Sequence, residues 1–475
     1  MQRCGDRRGR GARRSLGAGG CGVVIATALV MTGACGGPDT LVGGDVAFVD
    51  VDVIPMDAER LLEDQAVIIE DGRIVAIGSA DEIGPEEGVP VIDGDGLYLL
   101  PGLTEMHAHL PHPRQSDIDI KNQLFLYVAN GVTTVRSMQG DPSHFGLRDQ
   151  IDRGLVVGPR AYLGSDAISG DSVQSPEMAE QRVREYTVAG YDVVNVREGL
   201  SVEAFDAVAR TASALGIPFG GQVPHLVGLR RALASGQSSI DDLDNYVEGL
   251  MPVATPPESI GLGGALVGTV DDADLSVIPE LVQATVDAGA RVVPAMVWWE
   301  THFVDDRPSI NVLGDYPEVV YMPPETVERW IQAVDASRSA TEAATNRRVA
   351  ALRRQIWQAL HEGGAKIVFG SDATQAFNVP GFSIHREMAL YVELGMTPFE
   401  VLEAATRRPA EYFDAVDEFG MVAEGHRANL LLLTANPLED IGNVGQRAGV
   451  MLDGRFFPEA EIQLRLEEVA RFYGN

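Results

Sequence analysis

The stretch Pro101–Leu110, PGLTEMHAHL, closes an apolar run on two histidines, His107 and His109, with one residue between them. On an extended strand, residues i and i+2 face the same way. The spacing therefore predicts both imidazoles on one face, placed to share an ion at the ~2.0–2.1 Å of a Zn–N bond. An H-x-H pair alone is a weak signal. Its weight depends on what the rest of the chain brings beside it.

Outward from this stretch, apolar β-like runs recur: LYLLPGLTEMHAH, GVTTVRSM, PRAYLGS, YDVVNVRE, IPFGGQV, SSIDDL, ARVVPAMVW and AKIVFGSDA. Helical patterns such as SVEAFDAVARTASALG and RRVAALRRQIWQALHEGG separate most of them. This alternation predicts the α/β class and a (β/α)8 TIM barrel over residues 101–415. In the last run Asp372 follows Gly370, whose missing side chain permits close backbone approach. First and last strands of a closed barrel are neighbours, so Asp372 is expected beside the two histidines. There it would bind metal and exchange a proton with water. A helix N-cap is the other reading of Asp372. The segments 244–285 and 300–345 exceed a plain connection and read as lids or binding loops. Their aromatics Trp298, Trp299, Phe303 and Tyr321 are expected in the core ahead of a pocket wall.

Both ends of the chain read as β-rich. AVIIEDGRIVAIGS holds two alternating runs joined by Asp71-Gly72, and GVMLDGRFF repeats the device at Asp453-Gly454. ANLLLLTA precedes the second hairpin. Residues 36–100 and 416–460 are therefore expected to form one small β-sandwich, with residues 461–475 a helix packed outside it.

Residues 1–35 read as an export signal. Arg7, Arg8, Arg10, Arg13 and Arg14 precede CGVVIATALVMTGAC, an apolar run short for a membrane span. TGAC before Gly36 resembles a lipoprotein box with Cys35 acylated, which implies a periplasmic or cell-envelope lipoprotein, with simple secretion as the alternative. Arg13-Arg14 also raises twin-arginine export. Cleavage there would leave Cys35 as the sole cysteine, so no internal disulfide is expected. A net charge of -32 argues against nucleic-acid and anionic-membrane partners; membrane contact is expected only through a lipid on Cys35.

The ordered series VIIEDGRIVAIG, LPGLTEMHAHL, GVTTVRSM, GLRRALASGQSSID, VFGSDA, GFSIHREMALYVELGMTPFEVLEAATRRPAEYF and EGHRANLLLLTANPLEDI resembles the amidohydrolase superfamily, in its imidazolonepropionase-like or prolidase-like branch. The resemblance implies a barrel plus a sandwich built from both chain ends, and hydrolysis of C–N bonds with one or two zinc ions. It maps the strand-one histidines to His107 and His109 and the strand-eight aspartate to Asp372. Elsewhere the pattern breaks. Asn195 stands where a carboxylated lysine is usual, and the chain's lysines, Lys121 and Lys366, lie off that strand. Gln222 and Asp242 replace two histidines, Ser137 replaces an aspartate after strand two, and Asn429 replaces one in the sandwich.

A neutral Asn195 cannot bridge two dications as a carbamate does. Gln222 is a poor zinc ligand, whereas Asp242 is a real one. The sequence thus predicts one divalent metal on His107, His109, Asp372 and Asp242: zinc, with manganese or iron as alternatives. Asp372 is the expected general base acting on a small-molecule substrate. The competing expectation is an exported binding protein or scaffold without metal or catalysis, in which Asn195, Gln222 and Asp242 hydrogen-bond one another. His225 could return a lost nitrogen, but a surface position is favoured. His385 is expected to pack at a helix start. Arg136 and Arg197 could clamp a substrate carboxylate, though ion pairs with acidic side chains are the commoner fate.

Overall fold

The computed structural model describes residues 38, 40–112, 114–251, 270–304, 307–339 and 342–474. The export segment 1–35, with Cys35, lies outside them.

The chain is α/β, and its middle follows the expected alternation. Leu103–Ala108, Val132–Ser137 and Arg160–Leu163 form one parallel sheet. Val194–Val196, Phe219–Gly221, Ser239–Asp241, Arg291–Val293 and Lys366–Ile367 form a second, in chain order. Isolated parallel bridges join the two sheets at both seams, Gly164 to Val193 and Ile168 to Val196 on one side, Ala108 to Ala373 on the other. The last run is regular strand only at Lys366–Ile367. Beyond it, Met106 N donates to Phe369 O, Asp372 N to His107 O and His109 N to Ala373 O, at 2.7, 3.0 and 2.6 Å. Those bonds set Asp372 alongside the histidines. A Cβ on Gly370 would lie 2.7 Å from His107 N, so only glycine allows this approach.

The connecting helices carry local start and stop signals. Ser116, Ser175 and Ser201 accept the backbone N–H three residues on and so cap Asp117–Ala129, Pro176–Ala189 and Val202–Leu215. Gly190 and Gly216 end the last two in the left-handed conformation. Ile384, Met388 and Tyr391 of Ser383–Glu393 are buried, and His385 is half-buried, its Nε2 3.1 Å from Asn130 Oδ1. His385 is a packing residue, as expected.

The two chain ends meet in one mixed sheet. Its order is Arg455–Pro458, Arg447–Leu452, Leu430–Leu433, Tyr98–Pro101, Val46–Val53, Leu62–Glu70 and Arg73–Ser79, with Val91–Asp93 also pairing to Val46–Val53. The junction is antiparallel, Leu430 opposite Pro101 and Leu433 opposite Tyr98. Both expected hairpins form, with Asp71, Gly72, Asp453 and Gly454 all at positive φ. Their tips touch: a Cβ on Gly72 would sit 3.0 Å from Asp453 O. Against one face of this sheet lies the short parallel pair Thr40–Val42 and Ile83–Pro85, where Val42 and Ile83 pack on Ala47, Ile68 and Ala76. The final helix, Glu459–Phe472, packs Arg465 over the Phe125 ring at 3.9 Å.

Of the aromatics of the long excursion, Trp299 and Phe303 are in the core, and Trp298 and Tyr321 pack half-buried against it. Trp299 and Phe303 are buried with ring centroids 5.1 Å apart, and Arg353 lies 3.6 Å over the Trp299 ring. Tyr321 stacks on Phe382 at 5.1 Å.

Candidate metal centre

His107 and His109 project from the C-terminal end of Leu103–Ala108 with nearly parallel rings, centroids 5.6 Å apart. Asp372 reaches them from the eighth parallel segment, held at φ +58°. Aspartate tolerates this left-handed conformation better than most residues, at a cost of about 1–2 kcal/mol. Asp372 Oδ1 lies 2.9 Å from His109 Nε2 and 3.4 Å from His107 Nε2. One ligand atom from each of the three side chains falls within 4.8 Å of the others, and all three residues are buried.

The opposite face of each imidazole is also occupied. His109 Nδ1 lies 2.9 Å from Gln139 Oε1, while Nε2 faces Asp372. His107 Nδ1 lies 3.4 Å from Asp241 Oδ2 and 3.3 Å from Asp242 Oδ1. Asp242, at φ +61°, thus approaches the nitrogen of His107 opposite the one that faces Asp372. Asp241 is itself clamped by Arg136, whose Nη2 donates to both its oxygens at 2.9 and 2.8 Å. Arg136 is fully buried and also donates to Met106 O and Ser239 Oγ, so it meets the ion-pair fate rather than a substrate.

Electrostatics and satisfaction both favour a cation here. Neither ring nitrogen of buried His107 makes a geometrically sound hydrogen bond. Burial works against its protonation, yet Asp242, Asp372 and Asp241 outweigh burial and raise its pKa. Burial lifts Asp242 to about 6 and Glu105 to about 7. Burial would also lift Asp372, but the two imidazoles hold it below the usual carboxylate range. A dication at the Nε2 side would satisfy the orphaned nitrogen and offset the excess of carboxylates, so the residues present fit one ion with nitrogen and oxygen ligands.

Among the described residues Asp242, expected as a fourth ligand, lies outside the cluster of His107, His109 and Asp372. Asn195 turns its Nδ2 to Met138 O. Gln222 is buried, and among the described residues its side chain makes no hydrogen bond to Asn195 or Asp242. The expected mutual hydrogen bonding of these three residues is therefore not what the structure shows: Asn195 finds a closer backbone acceptor. His225 Nδ1 pairs with Glu198 Oε2 at 3.0 Å, away from the two histidines. Arg197 is half-buried and within electrostatic reach of Asp242 and Asp372. Gln139, Asp241 and Gln375, whose Nε2 donates to Asp372 Oδ1 at 3.1 Å, were not foreseen from the sequence. Asp241 alone left a trace, as the neighbour of Asp242 in SIDDL. A cavity of about 590 Å³ opens beside His109.

Two imidazoles and a carboxylate gathered at the C-terminal ends of parallel strands are a donor set that could hold a metal ion. Residues 287–457 match the model of the amidohydrolase family. The ochratoxinase of Aspergillus niger is 24% identical over 426 residues, covering 82% of this chain and 81% of that protein. Among solved structures, a bottromycin amidohydrolase superposes with a TM-score of 0.68 at 23% identity, covering 90% of each chain. A Xaa-Pro dipeptidase with bound methionine superposes at 0.65 and 19% identity, covering 87% of this chain and 99% of that one. The family-model match spans residues 287–457, and the likeness to the ochratoxinase extends over most of the chain.

Proposed function

We propose that this protein is a single-metal hydrolase acting on a C–N bond of an amide, either non-peptide or dipeptide-like. The observation that carries the reading is the convergence of His107, His109 and Asp372 on one buried point next to an open cavity. Their Nε2 and Oδ1 atoms would hold one divalent ion: zinc, with manganese or iron also suited to this donor set. When bound, such an ion lowers the pKa of water from 15.7 to about 7. Asp372 takes a proton from the attacking water as its oxygen joins the carbonyl carbon. The C–N bond then breaks, and Asp372 returns the proton to the departing nitrogen. Gln139 fixes the His109 tautomer, and Gln375 orients Asp372. The similarity to proteins named ochratoxinase, bottromycin amidohydrolase and Xaa-Pro dipeptidase supports amide chemistry.

The second reading, a binding protein without catalysis, draws on Asn195 and Gln222, which supply no ligand. Metal analysis separates the two. Protein purified without a histidine tag and incubated with zinc, manganese or iron is expected to hold about one ion per chain. Well under one ion per chain with all three would overturn the hydrolase reading.

Two further parts of the reading concern organisation. We take the eight parallel strands to close as a (β/α)8 barrel over residues 101–415, supported by the bridges at both seams. Residues 36–100 and 416–460 make the smaller β domain, and 461–475 its outer helix. Residues 1–35 direct export, with acylation of Cys35; metabolic labelling with a fatty acid, lost in Cys35→Ser, tests it.

A further inference from the structure

We propose that His144 is a positioning residue of the candidate metal centre: it holds the segment that carries His109, through one hydrogen bond to the Pro111 carbonyl. The inference rests on the reading of His107, His109 and Asp372 as metal ligands. His144 opens the helix His144–Asp152 and is 3% exposed. Its Nε2 lies 3.2 Å from Pro111 O. A carbonyl oxygen only accepts, so Nε2 carries the proton and donates. Burial holds the pKa of this ring below the usual histidine range, so near pH 7 the ring is neutral and Nδ1 is a bare acceptor.

What this bond restrains is a stretch without regular structure. The strand ends at Ala108, and residues 109–112 belong to no helix or strand. Bonds to three different parts of the chain tie them down. His109 N donates to Ala373 O at 2.6 Å, Leu110 N donates to Ser137 Oγ at 3.2 Å, and Pro111 O accepts from His144. Pro111 has no N–H, so its carbonyl is its whole hydrogen-bonding capacity. Packing around the segment is interrupted by two cavities. Leu110 lines the cavity of about 590 Å³ beside His109. Pro111 lines another of about 320 Å³, together with His144, Ile120 and Leu147. Where close packing is incomplete, a bond to the backbone carries more of the restraint.

A histidine in that place is not the choice packing alone would make. His144 Nδ1 is buried and has no partner among the described residues. A buried acceptor without a donor is unfavourable, and native structures carry few of them. A leucine would avoid the orphaned nitrogen; what it could not do is donate to Pro111. His426 has the same arrangement, with Nε2 at Val416 O and Nδ1 unpartnered. What distinguishes His144 is where its acceptor lies, two residues past a proposed ligand. Ligating side chains must be held to within about 0.5 Å of their productive geometry. With Pro111 released, the His109 segment would lose one of its three ties, and His109 Nε2 would lose its fixed place beside Asp372.

The test follows metal rather than turnover. Zinc affinity of the full chain is read by competition with a chelator, and ligand geometry by the visible absorption of the cobalt-loaded protein. His144→Leu is expected to weaken zinc by about tenfold, the lower end of the loss on removing an outer partner, and to shift the cobalt bands. His144→Gln, whose amide N–H can stand in for Nε2, should restore most of that affinity. His144→Asn, polar but too short to reach Pro111, should not, and it replaces the leucine variant if that one fails to fold. The melting temperature of the metal-free protein should change little, because the orphaned Nδ1 and the Pro111 bond are lost together. Wild-type zinc affinity and cobalt spectrum in His144→Leu and His144→Asn would overturn the inference and leave the hydrolase reading intact. A lowered melting temperature as the sole effect would do the same. Wild-type protein that holds no ion removes both. His144-dependent metal binding without hydrolysis would uphold the inference while removing the hydrolase reading.

Discussion

At the residue scale, the centre depends on side chains that aim other side chains. Gln139 is the clearest case, because its carbonyl, accepting from His109 Nδ1, would leave Nε2 unprotonated and free to ligate an ion. Removing such an outer partner typically weakens metal binding by about 10–100-fold. Gln139→Ala is therefore expected to loosen zinc by about tenfold with little change in melting temperature of the metal-free protein. Competition against a chromophoric chelator measures it, and unchanged affinity would remove Gln139 from the centre. The residues legible in sequence were those linked by a local rule. His107 and His109 follow from the two-residue repeat of a strand, and Asp372 from the adjacency of first and last strands. Gln139 and Asp241 follow from no such rule, since what they touch is set by how neighbouring strands align. The Asp242 position shows the same gap: its residue type suggested a ligand, but only the geometry reveals which face of His107 it meets.

At the element scale, the helix Met296–Phe303 has no side-chain cap of its own. Its first turn is held from outside by Glu387, whose carboxylate accepts from Met296 N at 2.9 Å and Val297 N at 2.7 Å. Glu387 is fully buried, and burial pushes its pKa up to about 8 despite those bonds. An acid whose folded pKa lies above its unfolded value near 4.3 stabilises the fold at low pH. That contribution is complete below the unfolded value and is lost as pH rises through about 8. Glu387→Gln, which cannot ionise, is expected to flatten the fall of melting temperature between about pH 5 and 8. An unchanged slope in pH-resolved thermal melts would show that this carboxyl does not govern it. Nothing in MVWWETHF announces a cap supplied from about ninety residues away, which is why the helix start was invisible in sequence. The two Asp-Gly hairpins were visible because the positive φ their turns require favours those residue types locally.

At the scale of the whole molecule, one strand of the mixed sheet is shared between two cores. In Leu430–Leu433 alternate side chains enter different cores: Leu431 and Leu433 face the main core, Leu430 and Leu432 the core of the mixed sheet. Leu431 also reaches the turn before Val132–Ser137, where a Cβ on Gly131 would lie 2.9 Å from Leu431 Cδ1. The sequence showed only a run of leucines, because a strand buried on both faces has no alternation to read. Truncating either neighbour in that run leaves a cavity, so Leu431→Ala and Leu432→Ala are each expected to cost about 2–5 kcal/mol. The two substitutions strike different cores across one strand only four residues long. If the strand couples those cores, both variants lower the same calorimetric transition by similar amounts. If instead Leu432→Ala splits off a separate low-temperature transition and Leu431→Ala does not, the mixed sheet melts on its own and the coupling is absent.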